Sequence, residues 1–341
     1  MDKFLGEALK SGLNIIENFP LARVTTIRIG GPARYYCPVH NVHDLTRAAT
    51  LAHRFNLPFK VIGKGSNLLV ADTGFQGLII HNQYTAFNVE SLTVEGQLPP
   101  LPDYLSNREK SDYHPVFVRV SSGYRLSSLL PKLHGKQIVG LEYFAGIPAT
   151  TGGAIYMNAH GGPYFFGQFV NSVRLFDGQR LKEVKTDYFN FAYDYSILQE
   201  TKEIVLDAAL VLWQGDVAPA KKFLAIWASK KKIQPQKSAG CIFQNLTPEE
   251  QKRLNLPTLS VGYFIDRLLH LKGFRRGEAI ISTAHAAFIE NLGQASASDV
   301  LFLIDLIRNR ALEEFNIELK LEIELLGFES FNQTPEGEKI G

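Results

Sequence analysis

Gly140-Leu141-Glu142-Tyr143-Phe144-Ala145-Gly146-Ile147-Pro148-Ala149-Thr150-Thr151-Gly152-Gly153-Ala154-Ile155-Tyr156-Met157-Asn158-Ala159 is apolar enough to be buried, yet it carries three internal glycines, a proline and an asparagine. Glycine costs stability inside regular elements and is kept where the backbone turns sharply or comes close to another group. Two readings of the stretch stand side by side: a wall against a large flat ligand, or a tight turn between core strands.

Working outward, residues 1–20 read as a short helix and lead-in. A helix is expected over about Asp44 to Phe55, with Leu45, Ala48, Ala49 and Ala52 at helical spacing and Pro58 beyond its end. Short strands follow at Phe59–Ile62, Leu68–Ala71 and Leu78–His81. Residues 95–115 break the pattern with prolines and polar residues and read as an inserted surface loop. Strand Val116–Val120 and helix Leu126–Leu133 precede the opening stretch; strands Val170–Phe176 and Ile204–Trp213 come after it. From residue 218 the chain reads as a separate lobe, with helices over about Ala218–Lys232 and Ser298–Phe315. Ser298 is expected to cap the second, and Val300, Leu301, Ile304, Ile307, Leu312 and Phe315 to form its apolar face. Residues 317–326 alternate apolar and charged side chains, the pattern of a strand. Residues 331–341 read as a frayed tail.

The chain has 341 residues, enough for two or three domains. A hydrophobic share of 45%, a charged share of 21% and a net charge of +2 fit a globular protein and argue against nucleic-acid and membrane partners. Two cysteines exclude a disulfide scaffold, and the nine histidines lack zinc-site spacing, so no metal is expected. The N-terminus does not read as a secretory signal, and no apolar run is long enough to span a membrane. A cytoplasmic protein is the expectation.

Gly63-Lys64-Gly65-Ser66-Asn67 follows a strand. Its glycines let backbone N–H groups converge on an anion, and Ser66 and Asn67 add hydrogen bonds. An ordinary turn explains the same residues. The motif is neither a P-loop nor a dinucleotide fingerprint, which argues against a Rossmann site. With the 140–159 stretch, it makes a diphosphate cofactor with a flat ring plausible.

Gly63 to Val70 resembles the G-x-GSNLLV motif of the MurB family, the UDP-N-acetylenolpyruvoylglucosamine reductases. Thr25 to Ala33 is similar to that family's opening NTTFRIGGPA, and Gly140–Ala159 to its GLE-x-x-AGIPGTVGGA-x-x-MNAGA. Ser238 to Asn245 resembles SAG[SC]-x-F-x-N; Lys272-Gly273, Ser282, His285-Ala286 and Asn291 match a further motif. The resemblance runs from about residue 20 to 327, within the branch that lacks a substrate-capping loop.

The resemblance implies an α+β chain: a two-subdomain FAD-binding fold of the vanillyl-alcohol oxidase type plus a C-terminal α+β substrate lobe. Residues 21–82 and 83–217, the latter with the insertion at about 95–115, would bind FAD. Residues 218–330 would form the substrate domain. It implies reduction of UDP-N-acetylenolpyruvoylglucosamine to UDP-N-acetylmuramate with NADPH, a step of peptidoglycan synthesis, and a small sugar nucleotide as the binding partner. Gly63, Gly65, Ser66, Asn67, Gly146, Ile147, Pro148, Gly152, Gly153 and Asn158 would hold FAD.

Cys241 falls where the family places its proton donor, usually serine. A thiol with an ordinary pKa near ~8.5 serves chemically; the alternative is a small cysteine packed behind Gly240. Glu322 falls at the family carboxylate, and the alternative is a solvent-facing strand glutamate. Asp194 stands in Tyr193-Asp194-Tyr195-Ser196 where the family has arginine, which pairs with the developing anion. An aspartate there reverses the local electrostatics. Ala149, Thr151 and His160 also depart from the family pattern, His160 standing where glycine is usual. Together they mark a divergent member. A diverged flavin oxidoreductase acting on another substrate, and a non-catalytic paralog that binds FAD or a sugar nucleotide, remain open beside the reductase.

Overall fold

A computed structural model describes residues 2–90, 98–105, 112–231 and 234–328. The chain divides into two compact units. The first comprises residues 1–15, 37–64 and 79–233, and the second 16–36, 65–78 and 234–341. The chain passes from one to the other within the strands Pro32–Val39 and Phe75–Asn82.

The first unit is built on an antiparallel sheet in the spatial order Leu181–Lys185, Val170–Phe176, Ile204–Gln214, His114–Ser121, Phe87–Glu90, with Ile138–Val139 pairing the end of the central strand. The central strand is buried from Ile204 to Trp213, and its alternation divides the two faces. Ala208, Leu210 and Leu212 join a large core with Val118, Val120, Val173 and Leu175. Against this face pack helix Leu126–His134, through Leu126, Leu129, Leu130 and Leu133, and the stretch from Leu141 to Ile155. On the other face Phe117, Ala209 and Val211 cluster, and the buried Asp207 carboxylate accepts from Arg119 and Arg174. The helix Val42–Arg54 is capped by Asn41, which accepts from the Asp44 N–H, and buries Leu45, Ala48, Ala49, Leu51 and Ala52.

The second unit gathers three separated segments around one core. It includes Ile27, Ile29, Leu69, Phe243, Phe264, Ile281 and the buried face of helix Ala297–Phe315. Arg275–Arg276, Ala279–Ile281 and Ile289–Asn291 make a small antiparallel sheet. Strand Glu324–Leu326 pairs in parallel with Leu68–Val70.

Most expected elements are present within a few residues of their expected ends. Three differ. The long helix is capped by Ser296, which accepts from the Asp299 N–H at 3.0 Å, and not by Ser298, whose hydroxyl donates to Asp72 at 2.9 Å. Ser296 completes a reciprocal box with Asp299, so the helix starts at Ala297, one residue before its expected start. Leu312 is exposed, and Leu303 and Ala311 take the buried face instead. The 317–326 strand narrows to a bridge at Leu321 and the paired Glu324–Leu326, whose partner Leu68–Val70 is itself only three residues long. Residues 95–115 are not simply a surface loop. Among its described residues Leu105 and Tyr113 are buried with Val139, Trp213 and Ala220, and Tyr104 donates to the buried Glu142. The 95–97 and 106–111 parts of that insertion and the 331–341 tail lie outside the described residues.

Candidate functional site

In the first unit a cleft of about 530 Å³ is lined by residues that include Gly63, Lys64, His81, Gly123, Arg125, Lys132 and Thr150. Its lining holds three permanent cations and no carboxylate. Such a lining favours an anion, since its charged residues are of one sign. The His81 imidazole is pushed down to about 4 by burial and by the charge of Arg125, then of Lys64 and His40, against a bond with the Gly63 backbone. It is therefore neutral at neutral pH.

The backbone explains the shape of the cleft. Residues 122–126 run beside 149–152: Gly152 N–H donates to Ser122 at 2.8 Å, Thr151 N–H to Tyr124 at 2.9 Å, and Leu126 N–H to Ala149 at 3.0 Å. A Cβ on Gly63 would meet Thr150 Oγ1 at 2.4 Å, and one on Gly123 would meet the Tyr84 carbonyl at 2.6 Å. Glycine is required at both places, and the backbone itself forms part of the wall. The FAD expected from the resemblance fits this donor set: the volume lies in the usual range of roughly 300–1,000 Å³ for cofactor sites. Lys64, Arg125 and Lys132 would hold its diphosphate.

The expected cofactor residues divide between the two units. Gly63 lines the cleft. Gly146 has φ +83°, Ile147 N–H donates to Phe144, and Gly146 and Pro148 are exposed. Gly152 packs on Ser122, while Gly153 is exposed in the first turn of Thr151–Tyr156 and donates to Thr150 Oγ1. Asn158 is buried, and both ends of its amide are used inside the protein: Nδ2 donates to Ala192 and Oδ1 accepts from Gly167 N–H. It braces the stretch. In the second unit Gly65 adopts φ +58° against Val24, Ser66 lies beside Gly240, and Asn67 donates to the Glu322 carbonyl at 3.0 Å.

Ser122, Gly123, Tyr124, Arg125, Lys132 and His81 were not singled out from the sequence. A signal existed in Ser121-Ser122-Gly123, a glycine turn between an apolar strand and a helix, the same arrangement that drew attention to Gly63.

Cys241 and Glu322 are brought together within the second unit. Glu322 N–H donates to Ile242 at 2.9 Å, Gln244 N–H donates to Lys320 at 3.0 Å, and Phe243 bridges Leu321. Gly240, at φ +88°, turns the chain into this pairing. Both side chains are half-buried, and Asn67 ties the same strand to the Ser66-Asn67 end of the glycine motif. Lys320 is exposed.

Asp194 lies in the first unit, in a tight turn closed by mutual bonds between Ala192 and Tyr195. It has φ +50° and is 5% exposed. Its Oδ1 is 3.3 Å from His160 Nδ1, and its Oδ2 has no hydrogen-bond partner among the described residues. No cluster of His, Cys, Asp and Glu suited to a metal occurs among the described residues, and none of their helices is long and apolar enough to cross a membrane.

A family model described as the C-terminal domain of UDP-N-acetylenolpyruvoylglucosamine reductase matches residues 233–326. The chain is 32% identical over 336 residues to the UDP-N-acetylenolpyruvoylglucosamine reductase of Bacillus pumilus, covering 97% of this chain and all of that protein. It is 33% identical over 318 residues to that of Chlamydia trachomatis, covering 92% of this chain and 97% of that protein. The fold is similar to the crystal structure of the Thermus caldophilus reductase, with a TM-score of 0.68 and 31% identity over 92% of this chain and 98% of that one.

Proposed function

The chain belongs to the UDP-N-acetylenolpyruvoylglucosamine reductase family, and from that membership we propose that it reduces UDP-N-acetylenolpyruvoylglucosamine to UDP-N-acetylmuramate in the cytoplasm, with FAD as cofactor and NADPH as reductant. The observation that carries the reading is the pairing of the Cys241 and Glu322 segments, 2.9 Å apart at Glu322 N–H and Ile242 O. Bound FAD, once reduced, supplies the hydride for the enolpyruvyl group. The protein's own residues do the rest. Lys64, Arg125 and Lys132 take the diphosphate, and Gly63 and Gly123 let it lie against the backbone. The Cys241 thiol delivers the proton to the carbon next to the carboxylate, and Glu322 polarises that carboxylate by hydrogen bonding in its acid form. Residues 21–82 and 83–217 are proposed as the cofactor subdomains of the vanillyl-alcohol oxidase type and 218–330 as the substrate domain, with 16–36 and 65–78 in one compact unit with 234–341.

One observation favours a second reading. Asp194 puts a buried carboxylate where the resemblance expects arginine, which suits a diverged flavin oxidoreductase, or a binding paralog without turnover. Purified protein separates these. A yellow flavin spectrum and NADPH oxidation dependent on UDP-N-acetylenolpyruvoylglucosamine, with UDP-N-acetylmuramate formed, support the reductase. Cys241→Ser should retain much of the rate and Cys241→Ala lose it by about 10²–10⁴-fold. Flavin without substrate-dependent oxidation sinks the reductase reading.

A further inference from the structure

Glu142 joins three segments of the first unit. Its Oε2 accepts from the Tyr104 hydroxyl and from the Gly140 N–H at 2.8 Å, and its Oε1 lies 2.8 Å from His134 Nε2. The side chains of Glu142 and His134 are 1% and 7% exposed. Tyr104 comes from the 95–115 insertion, His134 is the last residue of the helix Leu126–His134, and Glu142 stands near the start of the 140–159 stretch. None of the three side chains lines the cleft. Two of the three segments run into it. The helix brings Ser128 and Lys132, one turn apart on one face, with Arg125 at its N-cap; the stretch brings Thr150.

The helix and the stretch are tied to each other at both ends. At one end His134 meets Glu142. At the other, Leu126 N–H donates to Ala149 at 3.0 Å and Arg125 bridges Thr150. Nine residues of helix between two such ties move as one body, so the place of His134 sets the places of Lys132 and Arg125. The insertion grips the Glu142 end. Tyr104 stacks on Phe223, with centroids 4.6 Å apart and planes at 19°, Tyr143 Oη donates to Asp103 at 2.9 Å, and Asp103 N–H donates to Tyr164 at 3.1 Å. Stacking holds the ring without any hydroxyl. The hydroxyl adds a bond to a buried carboxylate, and charge-assisted bonds of that kind are the stronger ones. Without it Oε2 keeps only the Gly140 N–H among the described residues.

We propose that Tyr104 is a positioning residue for the cofactor cleft: through Glu142 and His134 it sets where Arg125 and Lys132 stand, so that docking of residues 98–105 and binding of FAD strengthen each other. The proposal rests on the assignment of FAD to this cleft. It gives the insertion a use beyond filling space, because a brace that served stability alone would leave cofactor affinity untouched. Thermodynamic linkage makes the effect mutual: whatever factor the Tyr104 bond adds to FAD affinity, FAD returns to the docking of the segment.

The test is equilibrium binding of FAD, followed by flavin fluorescence, to the full-length protein freed of its flavin. Tyr104→Phe keeps the stacked ring and should weaken FAD binding by roughly five- to fiftyfold. Tyr188→Phe is the control. It removes a hydroxyl that donates at 2.6 Å to Glu203, whose side chain is 7% exposed, and Tyr188 does not line the cleft. Its FAD affinity should stay within about twofold of wild type. Hydrogen exchange on the wild-type protein needs no variant: FAD should slow the amides of 98–105 several-fold. Melting temperatures without FAD establish that each variant is folded. Unchanged affinity in Tyr104→Phe, an equal loss in Tyr188→Phe, or exchange at 98–105 indifferent to FAD overturns the proposal and leaves FAD in the cleft. A wild-type protein that binds no FAD overturns the cofactor reading, and this proposal with it.

Discussion

Two of the buried carboxylates of the first unit, Glu142 at 1% exposure and Asp194 at 5%, have opposite surroundings. Glu142 accepts from Gly140 N–H at 2.8 Å and from the Tyr104 hydroxyl, and lies 2.8 Å from His134 Nε2. Burial, then the charge of and bond to Glu142, push the Tyr104 hydroxyl well above its ordinary pKa, which keeps it a donor. Asp194 has one long contact and one bare oxygen. A fully satisfied buried carboxylate specifies a structure; one left half satisfied retains capacity for something else. The first holds the start of the 140–159 stretch in place, and the second sits just past its end.

The strongest way to break this comparison is Glu142→Ala. It strips three groups of their acceptor and should destabilise the protein by about 3–5 kcal/mol, read as a shift in urea midpoint. Tyr104→Phe sharpens it, with an expected loss of about 1–2 kcal/mol. Losses below those ranges would show that the Glu142 hydrogen bonds, the one from Tyr104 of the insertion included, contribute little to stability.

The cleft supplies a third case, cations with no carboxylate at all. His81 carries the consequence. Its folded pKa, about 4, lies below the ordinary value of 6.5, so between those pH values the unfolded chain takes up a proton that the folded one refuses. Stability is undiminished by His81 above pH 6.5 and falls as the pH drops towards 4. His81→Gln should flatten the loss of stability over that window relative to wild type, by about 1–3 kcal/mol at its lower end. Identical pH profiles for the two proteins would remove the charged-cleft explanation.

Asp194→Asn has the smallest expected effect on stability, under about 1 kcal/mol in either direction, because a barely paired carboxylate has little to lose and asparagine tolerates the same positive φ. A destabilisation comparable to that of Glu142→Ala would make the two carboxylates alike and erase the distinction.

Local chemistry made much of this legible beforehand. The helices over 42–54 and 126–134 and the strands Phe59–Ile62 and Val170–Phe176 follow from spacing and flanking prolines or caps, which are short-range signals. Ser298 reads as a cap from its neighbours, yet its hydroxyl's partner, Asp72, lies 226 residues away in the chain. Likewise, nothing local announces that Tyr104 of a proline-rich insertion meets Glu142. At the site, Cys241, Glu322 and the glycines were legible through motif resemblance, and the cationic lining was not. Lys64, Arg125 and Lys132 come from three separate segments, and only the fold collects them. The Asp194–His160 contact was hidden in the same way: each residue alone looks like a departure, and only their distance joins them.

Leu68–Val70 finds its parallel partner in Glu324–Leu326. On the ribosome the first of these strands emerges long before the second has been made. At ordinary rates of synthesis, the wait for roughly 250 further residues lasts on the order of ten to fifty seconds. During that interval an apolar strand has an open edge, a target for chaperones and for misassociation with other nascent chains. The stretch 233–326 made by itself would lack both Leu68–Val70 and the Ile27–Ile29 segment that its core requires. Translation has to reach nearly the last described residue before the second unit can close.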